Sequence, residues 1–333
     1  MRQLVLASYF TFGTALLSSY ANAAGCGQIT IASMNWQSAE VAAEVDKFIL
    51  SEGYGCDAGI VQGDTIPTTT SMAEKGQPDI APEVWVDMLP DVVKNEINKG
   101  KLVQASPILS DGGENGWWIP KYIADAHPDI KTIADVFKHP ELFADPDNAG
   151  KGAVYNGPQG WAGTVITGQL FKAYEGEKAG FRLIDTGSAA GLEGSMSKAY
   201  ERKKGWVGFY WSPTSLLGKY PMVKLDHGAP FEPDNWKNCI TVSSCPNPKP
   251  SAWAKDHVYT LLSKTLAQRA PGEVTDYLNK RSWKNDTVSQ LMAWMSENQA
   301  TGEEGAKYFL KKNPDLWSQW VSEDAAKKIR AAL

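Results

Sequence analysis

Histidine and cysteine are scarce in this chain of 333 residues, with four of each. His127, His139, His227 and His257 stand in no metal-ligand spacing, and no Cys-x2-Cys pair occurs, so the pattern of a zinc site is missing. No Gly-x-Ser-x-Gly segment occurs, which removes the nucleophile elbow of serine hydrolases. Lysine and arginine form no long run and the net charge is -5, which argues against a nucleic-acid partner. Beyond the N-terminal segment no stretch reaches the roughly 18 apolar residues of a membrane span. Two broad classes stay open. One is an exported hydrolase working with an Asp/Glu pair. The other is a protein that binds a small molecule without transforming it.

The N-terminus reads as an export signal. Arg2 supplies a positive start, Leu4 to Leu17 is uncharged and mostly apolar, and Ala21-Asn22-Ala23 gives the small-x-small cleavage pattern. A signal peptide over residues 1–23 is therefore expected, and the mature chain is expected in the periplasm. All four cysteines follow the cut. An even number in an oxidising compartment reads as two disulfides, and four cysteines allow three connectivities. The preferred pairing is Cys26–Cys56 with Cys239–Cys245. The first would join the starts of two early strands, and the second would close a small loop of low regular-structure propensity.

The mature chain is long enough for two lobes of about 150 residues, each with a core. Gln28 to Ser33, Ala58 to Gln62 and Asp79 to Val86 read as strands. Ala39 to Ser51 (with Ser38 as N-cap), Thr68 to Lys75 and Leu89 to Lys99 read as helices, ended by glycines. A second α/β series follows Asp111-Gly112-Gly113. Its strands are Ala153 to Asn156, Phe181 to Asp185 and Trp206 to Trp211. Its helices are Ile133 to Phe137, Gly163 to Tyr174 and Leu192 to Arg202. After the proline-rich stretch 246–250 the chain reads as helical: Trp253 to Gln268, Val274 to Lys280, Val288 to Gln299 and Leu316 to Leu333. This order predicts an α/β protein with a mostly parallel sheet and flanking helices in each of two lobes. Residues 24–112 with 251–333 would form lobe 1, and 113–250 lobe 2.

Thirteen tryptophans are the unusual feature. Ligands of open α/β sheets sit at the carboxyl ends of strands. Trp36, Trp85, Trp161 and Trp211 all fall at or just past such ends, two on each lobe, so hinge closure would bring them together. Trp117 and Trp118 are adjacent and point opposite ways in an extended segment, so one of them can face the cleft, with Trp118 taken as the candidate. Trp206, Trp236, Trp253, Trp283, Trp294, Trp317 and Trp320 read as structural. Several indoles in one site suit a particular ligand chemistry. A methylated ammonium or sulfonium has no N–H on its positive centre, so hydrogen bonds cannot hold it there. Indole faces attract it at roughly 0.5–2 kcal/mol per ring. Sugars also stack on tryptophan, so a sugar-binding protein is the nearer alternative, ahead of a hydrolase.

The chain resembles the glycine betaine/choline-type substrate-binding proteins of ABC importers, the OpuAC-like family. The resemblance rests on the order and spacing of several segments. They are Asn35-Trp36-Gln37-Ser38-Ala39-Glu40, Trp85 with Leu89-Pro90, and Gly116-Trp117-Trp118-Ile119-Pro120-Lys121-Tyr122. Further on come Asn156-Gly157-Pro158-Gln159-Gly160-Trp161, Phe209-Tyr210-Trp211-Ser212-Pro213 and Trp317-Ser318-Gln319-Trp320-Val321. It implies a type II periplasmic-binding fold, an aromatic cage for trimethylammonium groups and a membrane permease as partner. The chain is expected to act as a monomer without catalysis and to need no cofactor. An ungapped match places the family's tryptophan at Gly160 rather than Trp161. Lys198 stands near a position where betaine-binding members carry arginine, and Glu114 lies beside the first crossover. Both lean toward a ligand without a carboxylate, with Glu114 drawing a cation. Asp145, Asp147 and Asn148 partly follow a calcium-loop spacing that some family members have in full.

Overall fold

Strand β1 (Gln28–Met34) carries alternating apolar residues into the middle of a sheet, where both faces are covered. The computed structural model describes residues 26–89 and 91–333. The expected signal segment, 1–23, lies outside the described residues. Strand β2 (Asp57–Gly63) runs parallel to β1, with Ile31 opposite Ile60, and β3 (Ile80–Trp85) runs parallel on the other side, with Ile31 opposite Ile80. The helices Gln37–Phe48 and Thr65–Lys75 make the connections between these strands. The first sheet is completed by β4 (Leu102–Pro107) and β10 (Val258–Ser263), in the order β2-β1-β3-β10-β4. The second sheet contains β5 (Glu114–Pro120), β6 (Gly152–Asn156), β7 (Phe181–Asp185), β8 (Gly208–Ser212) and β9 (Met222–Lys224), in the order β7-β6-β8-β5-β9.

Each sheet is mixed. The parallel arrangement holds for β1, β2 and β3 and for β6, β7 and β8. The antiparallel strand next to each set is the one that arrives from the other sheet. Strand β5 is the first after the chain crosses over, and Glu114 at its start pairs with Ser212 at the end of β8. Strand β10 is the first after the return, and Val258 at its start pairs with Trp85 at the end of β3. The crossings lie at the carboxyl ends of the parallel strands, so a strand entering there must run the opposite way.

The C-terminal part departs from the expected run of helix. Val258–Ser263 is strand β10, and only Lys264–Arg269 of that stretch is helical. A short apolar run buried on both faces has no periodicity to separate strand from helix. The segment Leu316 to Leu333 is two helices, Pro314–Trp317 and Glu323–Ala332, because Ser322 caps the second by accepting from the Ala325 N–H. The helix Gly302–Lys312, unexpected from the sequence, begins at a capping box of Thr301 and Glu304. Ser38 is not an N-cap. The first helix starts at Gln37, and the Ser38 hydroxyl is used elsewhere.

Both disulfides join the preferred partners, Cys26 with Cys56 and Cys239 with Cys245, each with Cα atoms 5.0 Å apart. They fit a protein of an oxidising compartment. Among the described residues, no helix is long and apolar enough to cross a membrane. Behind the first sheet lies a buried ion pair. Arg281 Nε lies 2.8 Å from Asp46 Oδ1, Arg281 Nη2 donates to Asp46 Oδ2 at 2.9 Å, and the Tyr277 hydroxyl donates to Asp46 Oδ1 at 2.5 Å. Removing one partner leaves a buried charge without its counter-ion. Asp46→Ala is expected to lower the unfolding free energy by about 3–5 kcal/mol in urea titrations.

Candidate functional site

The two lobes meet along the carboxyl ends of the parallel strands, and each lobe presents tryptophans there in the same two ways. Trp36 and Trp161 are the N-cap residues of the helices Gln37–Phe48 and Ala162–Ala173, with extended backbone at φ -137° and -79°. Trp85 ends β3, and Trp211 lies one residue from the end of β8. All four are 4–7 % exposed. They line one small cavity together with Thr65, Met88, Asn115, Gly163 and Phe209. The Trp36 and Trp161 rings meet edge to face across the cleft, with centroids 5.7 Å apart and an angle of 86°. Trp161 and Trp211 do the same within the second lobe, at 5.1 Å and 87°. Neighbouring walls are thus nearly perpendicular. Phe209 backs Trp211 at 5.9 Å and is itself stacked on Trp253 at 5.6 Å.

A buried indole needs an acceptor for its N–H. Trp36 Nε1 donates to Glu83 Oε1 at 2.7 Å, and Trp85 Nε1 donates to the same oxygen at 3.1 Å. The Ser38 hydroxyl adds a third donor at 3.0 Å. Glu83 is fully buried. Burial pushes its carboxyl above the usual range, and the three donors and Arg281 oppose that shift. Trp161 Nε1 donates across the cleft to Asn35 Oδ1. The Gly160 carbonyl accepts from the Ile66 N–H at 3.1 Å, so Trp161 sits on a segment pinned to the first lobe.

Of the expected site residues, the structure brings together Trp36, Trp85, Trp161 and Trp211. Trp161 rather than Gly160 reaches the cavity: Gly160 has φ 104° and lies against Asp64. Glu114 and Trp118 are not in the wall. Alternation along β5 turns Asn115 to the cavity and Glu114 away from it. The Glu114 side chain is 53 % exposed and is held 2.5 Å from Lys224. Trp118 points to the other face and donates to the Tyr210 carbonyl at 3.0 Å, while Trp117 is buried against Phe137. Neither adjacent tryptophan faces the cavity. Glu83, Asn115, Thr65, Met88 and Phe209 were missed. The spacing of Glu83 and Trp85 on one strand was a usable signal, since residues two apart share a face.

Asp145, in the calcium-like stretch, accepts from Arg182 Nη1 at 2.7 Å on one oxygen and from the Asp147 N–H at 2.9 Å on the other. A guanidinium stands where a cation would sit. Among the described residues no group of three or more His, Cys, Asp or Glu side chains could hold a metal ion. These residues do not fit calcium.

The two crossings touch at the cavity's edge. The Gly113 N–H donates to the Asp256 carbonyl at 3.1 Å, and Asp256 Oδ2 accepts from both the N–H and the side-chain amide of Asn115 at 3.0 Å. A β-carbon on Gly113 would lie 2.0 Å from the Trp85 ring, so only glycine lets the crossing pass over that indole.

Two α/β lobes, two crossings and a cleft at the strand ends define a type II periplasmic-binding fold. Glycine betaine/L-proline-binding protein (ProX) of Borrelia burgdorferi has a similar fold, with TM-score 0.70 and 20 % identity over 91 % of this chain and 99 % of that one. An ABC-transporter choline-binding protein solved with choline gives 0.69 and 18 %, over 92 % and 98 %. Lactococcal OpuAC with glycine betaine gives 0.65 and 21 %, over 89 % and 100 %. The family described as the substrate binding domain of ABC-type glycine betaine transport system matches residues 27–312, and the chain belongs to it. The trimethylamine N-oxide-binding protein of Pelagibacter ubique is 24 % identical over 302 residues, 88 % of this chain and 90 % of that protein. The family is one of transporter substrate-binding proteins and not an enzyme class.

Two outcomes follow from the crossings. Gly113→Ala is expected to push the Trp85 ring out of place and weaken ligand binding at least about tenfold by calorimetry, with the fold retained by circular dichroism. Burial, the larger influence, pushes the Asp256 carboxyl up to about 7 against the bonds from Asn115. The folded state therefore keeps a proton, between about pH 4 and pH 7, that the unfolded chain has lost. This contribution to stability is greatest below the unfolded value and declines as pH rises toward 7. Urea midpoints are expected to fall from about pH 5 to pH 8 more steeply in the native chain than in Asp256→Asn, which keeps an acceptor for Asn115.

Proposed function

We propose that the chain is the periplasmic receptor of an ABC importer and captures a small methylated onium compound between its two lobes, then delivers it to the membrane permease. The observation that carries this reading is the wall of the cavity. Four indoles surround it, two from each lobe, and no residue in its lining is charged. Such a wall offers ring faces and apolar contact to a head group that has no N–H to donate. The candidate ligands are trimethylamine N-oxide, choline, glycine betaine and dimethylsulfoniopropionate. Without a basic side chain in the lining, a ligand lacking a carboxylate is favoured; Glu114, paired with Lys224 outside the wall, adds no pull on a cation. The relative from Pelagibacter ubique, which binds trimethylamine N-oxide, and the choline- and betaine-bound neighbours are consistent with the same class of ligand. A sugar would need many polar partners, and the lining offers the side chains of Thr65 and Asn115. The export signal read at 1–23 and the two disulfides support a periplasmic location, and the reading takes the receptor as a monomer.

The test is a calorimetric and tryptophan-fluorescence titration of the mature protein with the four onium compounds and a set of neutral sugars. One onium compound is expected to bind saturably in the micromolar range. Trp85→Ala and Trp211→Ala are each expected to weaken it about tenfold or more, since each removes a ring worth up to about 2 kcal/mol together with its apolar contact. Saturable binding of a sugar with no onium binding contradicts the reading.

A further inference from the structure

The cavity wall carries no charged side chain, yet a fully buried carboxylate stands directly behind it. Glu83 reaches the wall through two of its four indoles, Trp36 and Trp85, and also takes the Ser38 hydroxyl, all on Oε1. Three donors on one oxygen favour the ionised form, against the burial that raises this carboxyl above its usual range. Its other oxygen, Oε2, is buried and has no hydrogen-bond partner. Arg281 Nε and Nη2 are directed at Asp46, so among the described residues no cation is bonded to Glu83, and Arg281 acts on it only through space.

We propose that Glu83 is a specificity-determining positioning residue: its carboxylate fixes the planes of Trp36 and Trp85 and makes the cavity select a cationic head over a neutral group of the same shape. This deepens the onium reading and rests on it. Ring faces alone discriminate weakly, because apolar contact serves a neutral tert-butyl group as well as a trimethylammonium group. The backbone also works against a cation here. The helices Gln37–Phe48 and Ala162–Ala173 both begin at the cavity, with Trp36 and Trp161 as N-caps. Each helix start carries about half a positive charge. One buried carboxylate offsets the pair. An indole whose N–H is bonded to an anion is also polarised toward a more negative ring face, and low local dielectric strengthens that effect.

Among the described residues, Glu83 is the one fully buried carboxylate that bonds two of the four indoles. Glu114 is exposed and paired with Lys224. Asp87 Oδ2 is taken up by the N–H and ring nitrogen of His257, at 2.7 and 2.8 Å. Asp64 is a second carboxylate beside the wall, bonded to Asn35 and the Trp161 indole; it is only partly buried, and burial raises its carboxyl above the usual range against those two bonds.

The probes are tetramethylammonium and tert-butanol, similar in shape and different in charge, titrated into the mature protein by fluorescence and NMR. Glu83→Gln keeps a carbonyl acceptor for both indoles and removes the charge. The expected result is a loss of at least about tenfold in tetramethylammonium affinity with tert-butanol affinity unchanged. Ser38→Ala removes one donor and keeps the charge, so the ratio of the two affinities is expected to hold or rise, even if Glu83→Gln does not fold. Equal loss of both probes in Glu83→Gln, no loss of either, or a lower ratio in Ser38→Ala overturns the proposal for Glu83 and leaves the onium reading standing. If the native protein binds no tetramethylammonium, the onium reading itself fails and this inference with it.

Discussion

An indole at the wall of a closed cavity must bond its N–H and still leave its face free, and the site is arranged around that constraint. Three of the four cavity tryptophans end their N–H groups on two side-chain oxygens of the first lobe, Glu83 Oε1 and Asn35 Oδ1. These bonds lie in the ring planes, so they set the planes and leave the faces to the cavity. The Asn35 bond also spans the cleft. The wall is therefore complete only with the two lobes in contact, as they are here. Trp161 becomes a wall only when its N–H reaches the other lobe and its ring meets Trp36.

The topology supplies what this arrangement needs. Parallel strands of both sheets end at the cleft and deliver Trp85 and Trp211, while the helix starts that follow other strands deliver Trp36 and Trp161. The crossings enter at the same edge, which forces β5 and β10 to run antiparallel and brings Asn115 beside Trp211. Glycine at 113 lets the first crossing lie on the Trp85 ring. The crossings and the cavity wall thus share contacts at Gly113, Asn115 and Trp85.

Much of this was legible in the sequence for a physical reason. Tryptophans beside strand ends are on the cleft whenever the strands are parallel, and the glycine-stopped helices between them identify such strands. Of the three cysteine connectivities the preferred one is observed, with one bridge between two strand starts and one across a small loop. What was hidden depended on neighbours far along the chain. Glu83 reads as a lone acid in a short strand, and its role appears only when Trp36 and Ser38 pack beside it. Glu114 was plausible by position, but one step of strand alternation separates it from the cavity and gives the place to Asn115. Strand β10 looked helical because it lies inside the sheet, between β3 and β4, and its short apolar run is buried on both faces, which leaves no period of two to read. Asp145 looked like a cation ligand until Arg182, from a different strand, filled that place.

The central claim is that a cationic head sits among these rings in the closed form. A crystal structure of the mature protein with a bound methylated onium compound tests it most directly. The account expects the onium centre within about 6 Å of the Trp36, Trp85, Trp161 and Trp211 ring centroids, with Glu83 still bonded to two of them. A head group bound instead in the groove beside Asn35 and Asp64, with the four rings collapsed on one another, would contradict it.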